Sequence, residues 1–257
     1  MTTPVVRLAD ARFGYGGAVN AHADLRIDTG EVVAVLGPNG SGKSTLVKGT
    51  LGLVDHYGGE TEWFGHPLAA LRERWRVGYV PQRGLAASPI PATLEEVVRS
   101  GRVARVGLLG RYRAADRQAV TDAIAAVGLD DRTRVPVRQL SGGQQRRALV
   151  ARALAGDADV LVLDEPFAGV DRESQEALAG TFRDLAARGI TLIIVLHELG
   201  PLDGVITRSV CLEAGEVVYD GPPKEQPTPA HRDTDPHGGE PLGGARDARP
   251  RLGLLAR

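Results

Sequence analysis

The sequence contains little of several residue types, and each shortage narrows the possible functions. Cys211 is the only cysteine among 257 residues, so no disulfide can form within the chain, which fits a reducing compartment. Only three lysines occur, Lys43, Lys48 and Lys224, so a lysine at a phosphate-binding position stands out. The formal net charge of −1 gives no indication of nucleic acid or an acidic lipid surface as a partner.

Long apolar runs are also missing. The strongest, at residues 31–36 and 160–163, are far shorter than the roughly 20 residues that a transmembrane helix needs. The first ten residues contain no long apolar core, so we expect no signal peptide. Any membrane role would therefore depend on a partner. Hydrophobic residues make up 42% of the chain, enough for one sizeable core, or for one core and a lobe.

Strand and helix patterns alternate along much of the chain, which predicts an α/β fold. Apolar or alternating runs predict strands at residues 5–13, 25–27, 32–36, 159–163 and 191–196. Helical patterns follow the third and the fourth of these strands, at 43 to about 53 and at 171–188. Because helices separate these strands, we expect a mainly parallel sheet that is covered on both faces.

The middle of the chain departs from this alternation. Few strand signals interrupt three helical patterns, at residues 93–100, 114–127 and 143–155. They predict a helical subdomain, at about residues 88–156, that is inserted into the α/β core. Further along, strand patterns at 209–212 and 216–219 flank a short turn and predict a hairpin.

The composition changes again at residue 222. Residues 222–257 contain seven prolines and five glycines, which predicts a flexible tail after a folded domain at residues 1–221. His231 and His237 lie in this segment, but two histidines without a third ligand are more often solvated than bound to metal.

A glycine-rich loop separates the predicted strand 32–36 from a helical pattern. It fits G-x-x-x-x-G-K-[ST] and consists of Gly37, Pro38, Asn39, Gly40, Ser41, Gly42, Lys43, Ser44 and Thr45. Successive N–H groups and the helix N-terminus can form an anion site there. Lys43 can reach the β- and γ-phosphates of ATP, and the Ser44 hydroxyl can bind Mg²⁺. The strand before the loop and the helix after it favour this interpretation over a chance glycine-rich turn.

Two acids follow the apolar run 160–163. Asp164 and Glu165 would lie at the carboxyl edge of the sheet, where open α/β folds bind their ligands. Asp164 could hold Mg²⁺ with its water shell, and Glu165 could act as a general base on the attacking water. Without the phosphate loop, a strand followed by an acidic helix cap would be the simpler interpretation.

A third segment begins the helical pattern near residue 143. Its serine and glycines can cap a helix and bind an anion, and its residues are Ser141, Gly142, Gly143 and Gln144. This segment resembles the signature motif of ABC ATPases, and the order of phosphate loop, signature and Asp-Glu strand matches that family. The resemblance extends over residues 5–221. It implies a P-loop NTPase core of the RecA-like kind, with an N-terminal antiparallel β portion and the inserted helical subdomain.

The resemblance assigns roles to four further residues that the pattern alone leaves open. Tyr15 matches the aromatic residue that stacks on adenine, although a lone tyrosine is more often a packing residue. Gln82 matches the glutamine that contacts Mg²⁺ and the attacking water, and Asp171 matches an aspartate that communicates across a dimer. His197 matches the switch histidine at the γ-phosphate. By position alone, Gln82 could be an ordinary loop residue, Asp171 a helix cap and His197 a structural residue.

In ABC ATPases, the phosphate loop of one copy faces the signature of a second copy, so the resemblance implies a dimer that closes on two ATP molecules. Ser141, Gly142 and Gly143 could then donate hydrogen bonds to a phosphate that residues 37–45 already hold. Loss of the γ-phosphate would remove those contacts and loosen the interface.

The chain has one nucleotide-binding unit, no second copy of it and no long heptad arm, which favours a transport subunit. The sequences at residues 77–83, 164–171 and 197–202 resemble those of ATPases from zinc and manganese uptake systems. Many of these relatives have an aspartate where this chain has Glu198. The resemblance implies integral-membrane permease partners, an extracytoplasmic metal-binding protein and a location at the cytoplasmic face of the membrane. The alternative is a soluble ABC ATPase that acts on DNA or ribosomes. A small-molecule kinase would leave the signature unexplained.

Overall fold

We describe the protein from a computed structural model, which covers residues 4–82, 91–107 and 110–223. Within these residues, ten strands form one sheet: Pro4–Tyr15 (β1), Ala18–Asp28 (β2), Val32–Leu36 (β3), Asp55–Trp63 (β4), His66–Pro67 (β5), Val77–Val80 (β6), Val160–Asp164 (β7), Thr191–Val195 (β8), Arg208–Glu213 (β9) and Glu216–Gly221 (β10). Their order in the sheet is β5-β4-β1-β2-β10-β9-β3-β8-β7-β6.

Six α-helices accompany the sheet in the described residues. They are Lys43–Thr50 (α1), Leu94–Ser100 (α2), Val103–Val106 (α3), Ala114–Ala126 (α4), Gly142–Ala155 (α5) and Arg172–Ala187 (α6). None of the described helices is both long enough and apolar enough to cross a bilayer.

The parallel half of the sheet is buried on both faces, as the apolar runs predict. β9, β3, β8, β7 and β6 are parallel neighbours, and every residue of β3, β7 and β8 is buried. Alternate residues of β3 belong to different cores: Val32, Ala34 and Leu36 to one, Val33 and Val35 to the other. Since successive strand residues point to opposite faces, the sheet has helices or strands packed on each side. The predicted α/β fold with a mainly parallel sheet is confirmed.

The N-terminal part of the sheet is antiparallel. β1 pairs with both β2 and β4 in antiparallel register, and β2 is much longer than the predicted strand 25–27. β4 was not predicted from the sequence, because only Thr61 and Trp63 of its nine residues are buried and the apolar alternation is missing. Trp63 fixes this strand in place: its side chain is fully buried and its Nε1–H donates to the Thr50 carbonyl at 2.7 Å.

The segment between β6 and β7 contains four helices and none of the named strands in its described part. α2, α4 and α5 pack on one another, and their apolar residues join the same core as β3, β7 and β8. Thr93 caps α2 through a reciprocal capping box with Glu96, which explains where this helix begins. The predicted start of the helical subdomain, at about residue 88, lies outside the described residues. The subdomain boundaries stay a prediction.

Arg102 connects helices of this segment to one another and to the residues just before β7. Its side chain is only 7% exposed, and its Nη2 lies 2.7 Å from Asp116 Oδ1 on α4. Its Nη1 lies 2.7 Å from Asp157 Oδ2 and donates to the Ala155 carbonyl at 2.9 Å, just before β7. The guanidinium therefore connects α3, α4 and the end of α5 through charge-assisted hydrogen bonds.

Residues 224–257, which contain most of the predicted tail, lie outside the described residues. Deleting residues 222–257 leaves β10 complete, so we expect the ATPase rate of the shortened chain to stay within about twofold of wild type. As the matched control, a chain that ends at residue 215 also loses β10 and should lose soluble protein and activity. Steady-state phosphate release by purified proteins tests both expectations. A large loss of activity in the first truncation would show that the segment is structural.

Candidate functional site

The glycine-rich loop connects β3 to α1 and curls around the Lys43 side chain. Gly37, Gly40 and Gly42 have φ values of 145°, 79° and 96°, which glycine adopts without the penalty that a Cβ imposes. The Lys43 ammonium donates to the Gly37 carbonyl at 2.7 Å and to the Pro38 carbonyl at 2.9 Å. The loop therefore folds around the Lys43 ammonium, which lies at the N-terminus of α1.

A cavity lies next to this loop. It is lined by Tyr15, Asn20, Asn39, Gly40, Ser41, Gly42, Lys43, Ser44, Thr45 and Glu165. Ser41 Oγ is buried and has no hydrogen-bond partner among the described residues. Burial lowers the pKa of the Lys43 ammonium, while the nearby Glu165 and Asp164 oppose that shift. A partly desolvated cation beside an unpartnered hydroxyl and a helix N-terminus fits a polyphosphate.

Asp164 is fully buried at the end of β7, and both of its carboxylate oxygens have partners. The Ser44 hydroxyl donates to Oδ1 at 2.8 Å, whereas Lys48 Nζ and the Tyr79 hydroxyl each lie 3.5 Å from Oδ2. Burial raises the pKa of Tyr79, and the charge of Asp164 adds to that effect. The hydroxyl and the carboxylate are the hard oxygen donors that Mg²⁺ prefers, so this pair fits the predicted metal.

Glu165, Gln82 and His197 meet at one edge of the sheet. β6, β7 and β8 are parallel neighbours, and these three residues follow their carboxyl ends. The Gln82 amide donates to Glu165 Oε2, and His197 Nε2 lies 3.2 Å from Glu165 Oε1. Glu165 has a φ of 49°, a left-handed conformation that is uncommon for a residue with a side chain and concentrates at functional sites.

Tyr15 ends β1 at the rim of the cavity, with 51% of its surface exposed. An exposed aromatic ring beside a phosphate loop is available for stacking on a base. This position agrees with the role that the family resemblance gives it, rather than with a packing role in the core.

The signature segment begins α5. Ser141 caps the helix through a reciprocal capping box: its hydroxyl accepts from the Gln144 N–H at 3.2 Å, and its own N–H donates to Gln144 Oε1 at 3.0 Å. Gly143 lies against α6, where an added Cβ would come within 2.4 Å of Ser174. Gly142 is exposed, like Ser141. The described lining of the phosphate-loop cavity contains none of these residues. The exposed N-terminus of α5 therefore lies outside the described lining of the phosphate-loop cavity in the same chain.

Asp171 caps α6. Its Oδ1 accepts from the Ser174 N–H at 2.9 Å, and this hydrogen bond lowers the pKa of the carboxyl. The capping role that the sequence allows is therefore present. Communication across a dimer stays a prediction for this residue.

Three residues of the site escape sequence-based reasoning. Asn20 on β2 lines the cavity, and Lys48 and Tyr79 flank Asp164. Lys48 lies four residues after Ser44 on α1, so helical spacing could have placed both on one face. The places of Asn20 and Tyr79 in the site could be recognised only from the tertiary structure, which brings β2 beside the loop and β6 beside β7.

Comparison with known proteins agrees with this geometry. The ABC transporter family model matches residues 21–168. The chain is 41% identical to the manganese transport system ATP-binding protein MntB of Bacillus subtilis over 68% of this chain and 69% of that protein. It is also 41% identical to the zinc transport system ATP-binding protein TroB of Treponema pallidum, over 68% of this chain and 65% of that protein.

The fold has solved counterparts. The dimeric structure of MJ0796, a bacterial ABC transporter cassette, superposes with a TM-score of 0.72 at 25% identity, over 84% of this chain and 98% of that chain. The resemblance predicted from the motifs is confirmed, because the family model matches more than half of the chain. With its phosphate loop and its Asp-Glu strand, the chain belongs to the ABC transporter family as an ATP-binding, ATP-hydrolysing subunit.

Proposed function

We propose that this chain powers the import of a divalent metal ion, manganese or zinc, by hydrolysing ATP. The observation that carries the proposal is the meeting of Glu165, Gln82 and His197 beside a phosphate loop that holds Lys43. The choice of metal is supported by the relatives, which are named as the ATP-binding proteins of a manganese transport system and of a zinc transport system.

The residues at the carboxyl edge of the sheet have different roles in ATP hydrolysis. Glu165 acts as the general base, taking a proton from the water that attacks the terminal phosphate. Gln82 and His197 each contact one of its two carboxylate oxygens and orient that base. Lys43 binds the β- and γ-phosphates, and the backbone N–H groups of residues 37–45 cradle them. Tyr15 stacks on the adenine.

Ser44 and Asp164 would hold the metal that accompanies ATP, with Gln82 as a third residue that would contact it. Ser44 Oγ and Asp164 Oδ1 lie 2.8 Å apart, and the Gln82 amide contacts Glu165, the residue after Asp164. When it is bound, Mg²⁺ neutralises charge on the phosphate oxygens. Asp164 is fully buried, so the backbone of β7 fixes the direction of its carboxylate.

A second copy of the chain completes the site. Ser141, Gly142, Gly143 and Gln144 start a helix whose N-terminus lies outside the phosphate-loop cavity of its own chain, and Asp171 begins the neighbouring α6. Facing the loop of a partner copy, that N-terminus supplies N–H donors to the terminal phosphate. The dimeric structure of the cassette MJ0796 supports an assembly of two copies. ATP then joins two copies, and hydrolysis separates them.

The chain works with integral-membrane permease subunits at the cytoplasmic face of the membrane. An extracytoplasmic metal-binding protein delivers the ion to that permease. The names of the relatives, which describe ATP-binding proteins of transport systems, support the role beside a permease.

Metal uptake by cells tests the function. Cells that lack this chain should accumulate radioactive manganese or zinc at a reduced rate, and wild-type chain should restore the rate. A Lys43→Met chain should fail to restore it, because the phosphates lose their cation. If uptake of both metals is normal without the chain, and the chain co-purifies with ribosomes or DNA, the soluble alternative is correct.

A further inference from the structure

The turn between β9 and β10 lies directly behind the phosphate loop. Its central residues, Ala214 and Gly215, have φ values of 49° and 89°. Positive φ at both central residues is what a two-residue hairpin turn of type I′ requires, and the right-handed twist of the strands favours that turn. The turn is therefore tight, with little freedom to move relative to its strands.

Both backbone polar groups of Gly215 bond to elements of the nucleotide site. Its N–H donates to the Ser41 carbonyl in the phosphate loop at 3.0 Å. Its carbonyl accepts from the His22 N–H on β2 at 2.8 Å. One glycine thus connects the phosphate loop to the strand that carries Asn20, a residue lining the cavity.

The phosphate loop also rests on backbone atoms with no room for a side chain. A Cβ added to Gly42 would lie 2.4 Å from the Asn20 carbonyl oxygen. One added to Gly37 would lie 2.2 Å from the Leu212 carbonyl oxygen on β9. Backbone atoms cannot move aside as a flexible side chain can, so the shape of the loop depends on where β2 and the hairpin lie.

We propose that Gly215 is a positioning residue for ATP: the β9–β10 turn fixes the curvature of the phosphate loop through the Ser41 carbonyl. Gly215 is not among the described residues that line the cavity, so it acts indirectly, through the phosphate loop and through β2, which carries Asn20. This inference rests on the proposed function in one respect, because the ligand that reports it is ATP. A displacement of the turn by a few tenths of an ångström changes the N–H directions in the loop, and phosphate binding depends on those directions.

Gly215→Ala provides the test, and Gly189→Ala is its matched control. Alanine at 215 places a Cβ 3.0 Å from the Asn20 carbonyl oxygen, at a φ of 89°. Gly189 has a similar φ of 81°, but an added Cβ meets no heavy atom of the described residues within 4 Å. Both variants should lose thermal stability, because both force a side chain into the same strained region, and Gly215→Ala should lose somewhat more because it adds the contact with Asn20. Only Gly215→Ala should raise the dissociation constant for ATP, by about tenfold.

Kinetics and hydrogen exchange separate positioning from a merely structural role. Gly215→Ala should raise the KM for ATP more than it lowers kcat, because the base at Glu165 stays in place. In wild type and in Gly189→Ala, ATP should slow amide exchange in peptides spanning residues 209–221, and this protection should be weaker in Gly215→Ala. If Gly215→Ala does not fold, Gly215→Asn replaces it in the same measurements, since asparagine tolerates positive φ and still places a Cβ against Asn20.

The outcomes distinguish this inference from the proposed function. If wild type binds ATP and both alanine variants bind it equally well, the turn does not position the loop and the inference is wrong. If wild type binds no ATP, the proposed function fails as well. A rise in the dissociation constant in Gly215→Ala alone, together with weaker ATP-dependent protection, supports the inference.

Discussion

Replacing Glu165 by glutamine is expected to lower the steady-state rate of ATP hydrolysis by about 10²–10⁴-fold, the range that a positioned general base contributes. The amide keeps the size of the side chain and can still contact Gln82 and His197, but it cannot accept a proton from water. ATP binding should be unchanged, because Lys43 and residues 37–45 are untouched. Phosphate release and equilibrium binding of ATP measure the two quantities separately.

The same variant should accumulate as an ATP-bound dimer. Size-exclusion chromatography with ATP and Mg²⁺ should show the dimer in Glu165→Gln and chiefly monomer without nucleotide. Adding Ser141→Asp should abolish that dimer. Aspartate still caps α5 as serine does, but its charge repels the terminal phosphate of a partner copy. Thermal stability should therefore stay near that of the single variant while the dimer is lost.

Glu176→Gln is the matched control for the base. Glu176 is an exposed residue of α6, where its carboxylate lies 3.8 Å from the Arg183 guanidinium. This variant makes the same chemical change away from the site and should hydrolyse ATP at the wild-type rate. If Glu165→Gln also hydrolyses ATP at that rate, Glu165 is not the base. A dimer that persists with Ser141→Asp would contradict the arrangement in which the signature faces a partner's phosphate loop.

Arg102→Met is expected to cause the largest loss of stability among the single substitutions, about 3 kcal/mol in the free energy of unfolding. The Arg102 side chain is 7% exposed and contacts Asp116, Asp157 and the Ala155 carbonyl. Methionine fills similar space but removes the guanidinium donors, so that Asp116 keeps only the Arg113 N–H and Asp157 only Arg105 among the partners described for them. Urea denaturation measured by circular dichroism gives the change directly.

Arg105→Met is the control for this variant. Arg105 also pairs with Asp157, but its side chain is 41% exposed, so solvent screens the interaction. We expect its loss to lower the free energy of unfolding by less than about 1 kcal/mol. If Arg102→Met and Arg105→Met lower the free energy of unfolding equally, burial of the Arg102 network adds nothing to the stability.

The Arg102 network should also make stability depend on acidity. Hydrogen bonds from the Arg113 N–H and from Arg102 lower the pKa of Asp116 below its ordinary value of 3.8. A carboxyl with a lowered pKa stabilises the folded state above its unfolded pKa, and this contribution disappears as the pH falls through the folded value. Wild type should therefore lose more stability than Arg102→Met between neutral pH and pH values below 3.8.

The local sequence pattern was enough to predict the buried strands in the parallel half of the sheet. β3, β7 and β8 lie within one residue of their predicted bounds, because a strand buried on both faces is a nearly continuous apolar run, interrupted here only by Asp164 at the end of β7 and Thr191 at the start of β8. β4 has the opposite character. Its sequence contains two glycines and several charged residues, so it lacks the apolar pattern of a strand. Antiparallel pairing with β1 and the burial of Trp63 stabilise it instead.

The sequence alone determined the phosphate loop, the Asp-Glu strand and the signature, because each motif is contiguous and its chemistry follows from residue types in order along the chain. Only the tertiary structure decided which of them meet. Gln82, Glu165 and His197 are far apart in sequence, and they come together because β6, β7 and β8 are parallel neighbours. Gly215 reaches the phosphate loop for the same reason: backbone hydrogen bonds between strands bring together residues that no local pattern can connect.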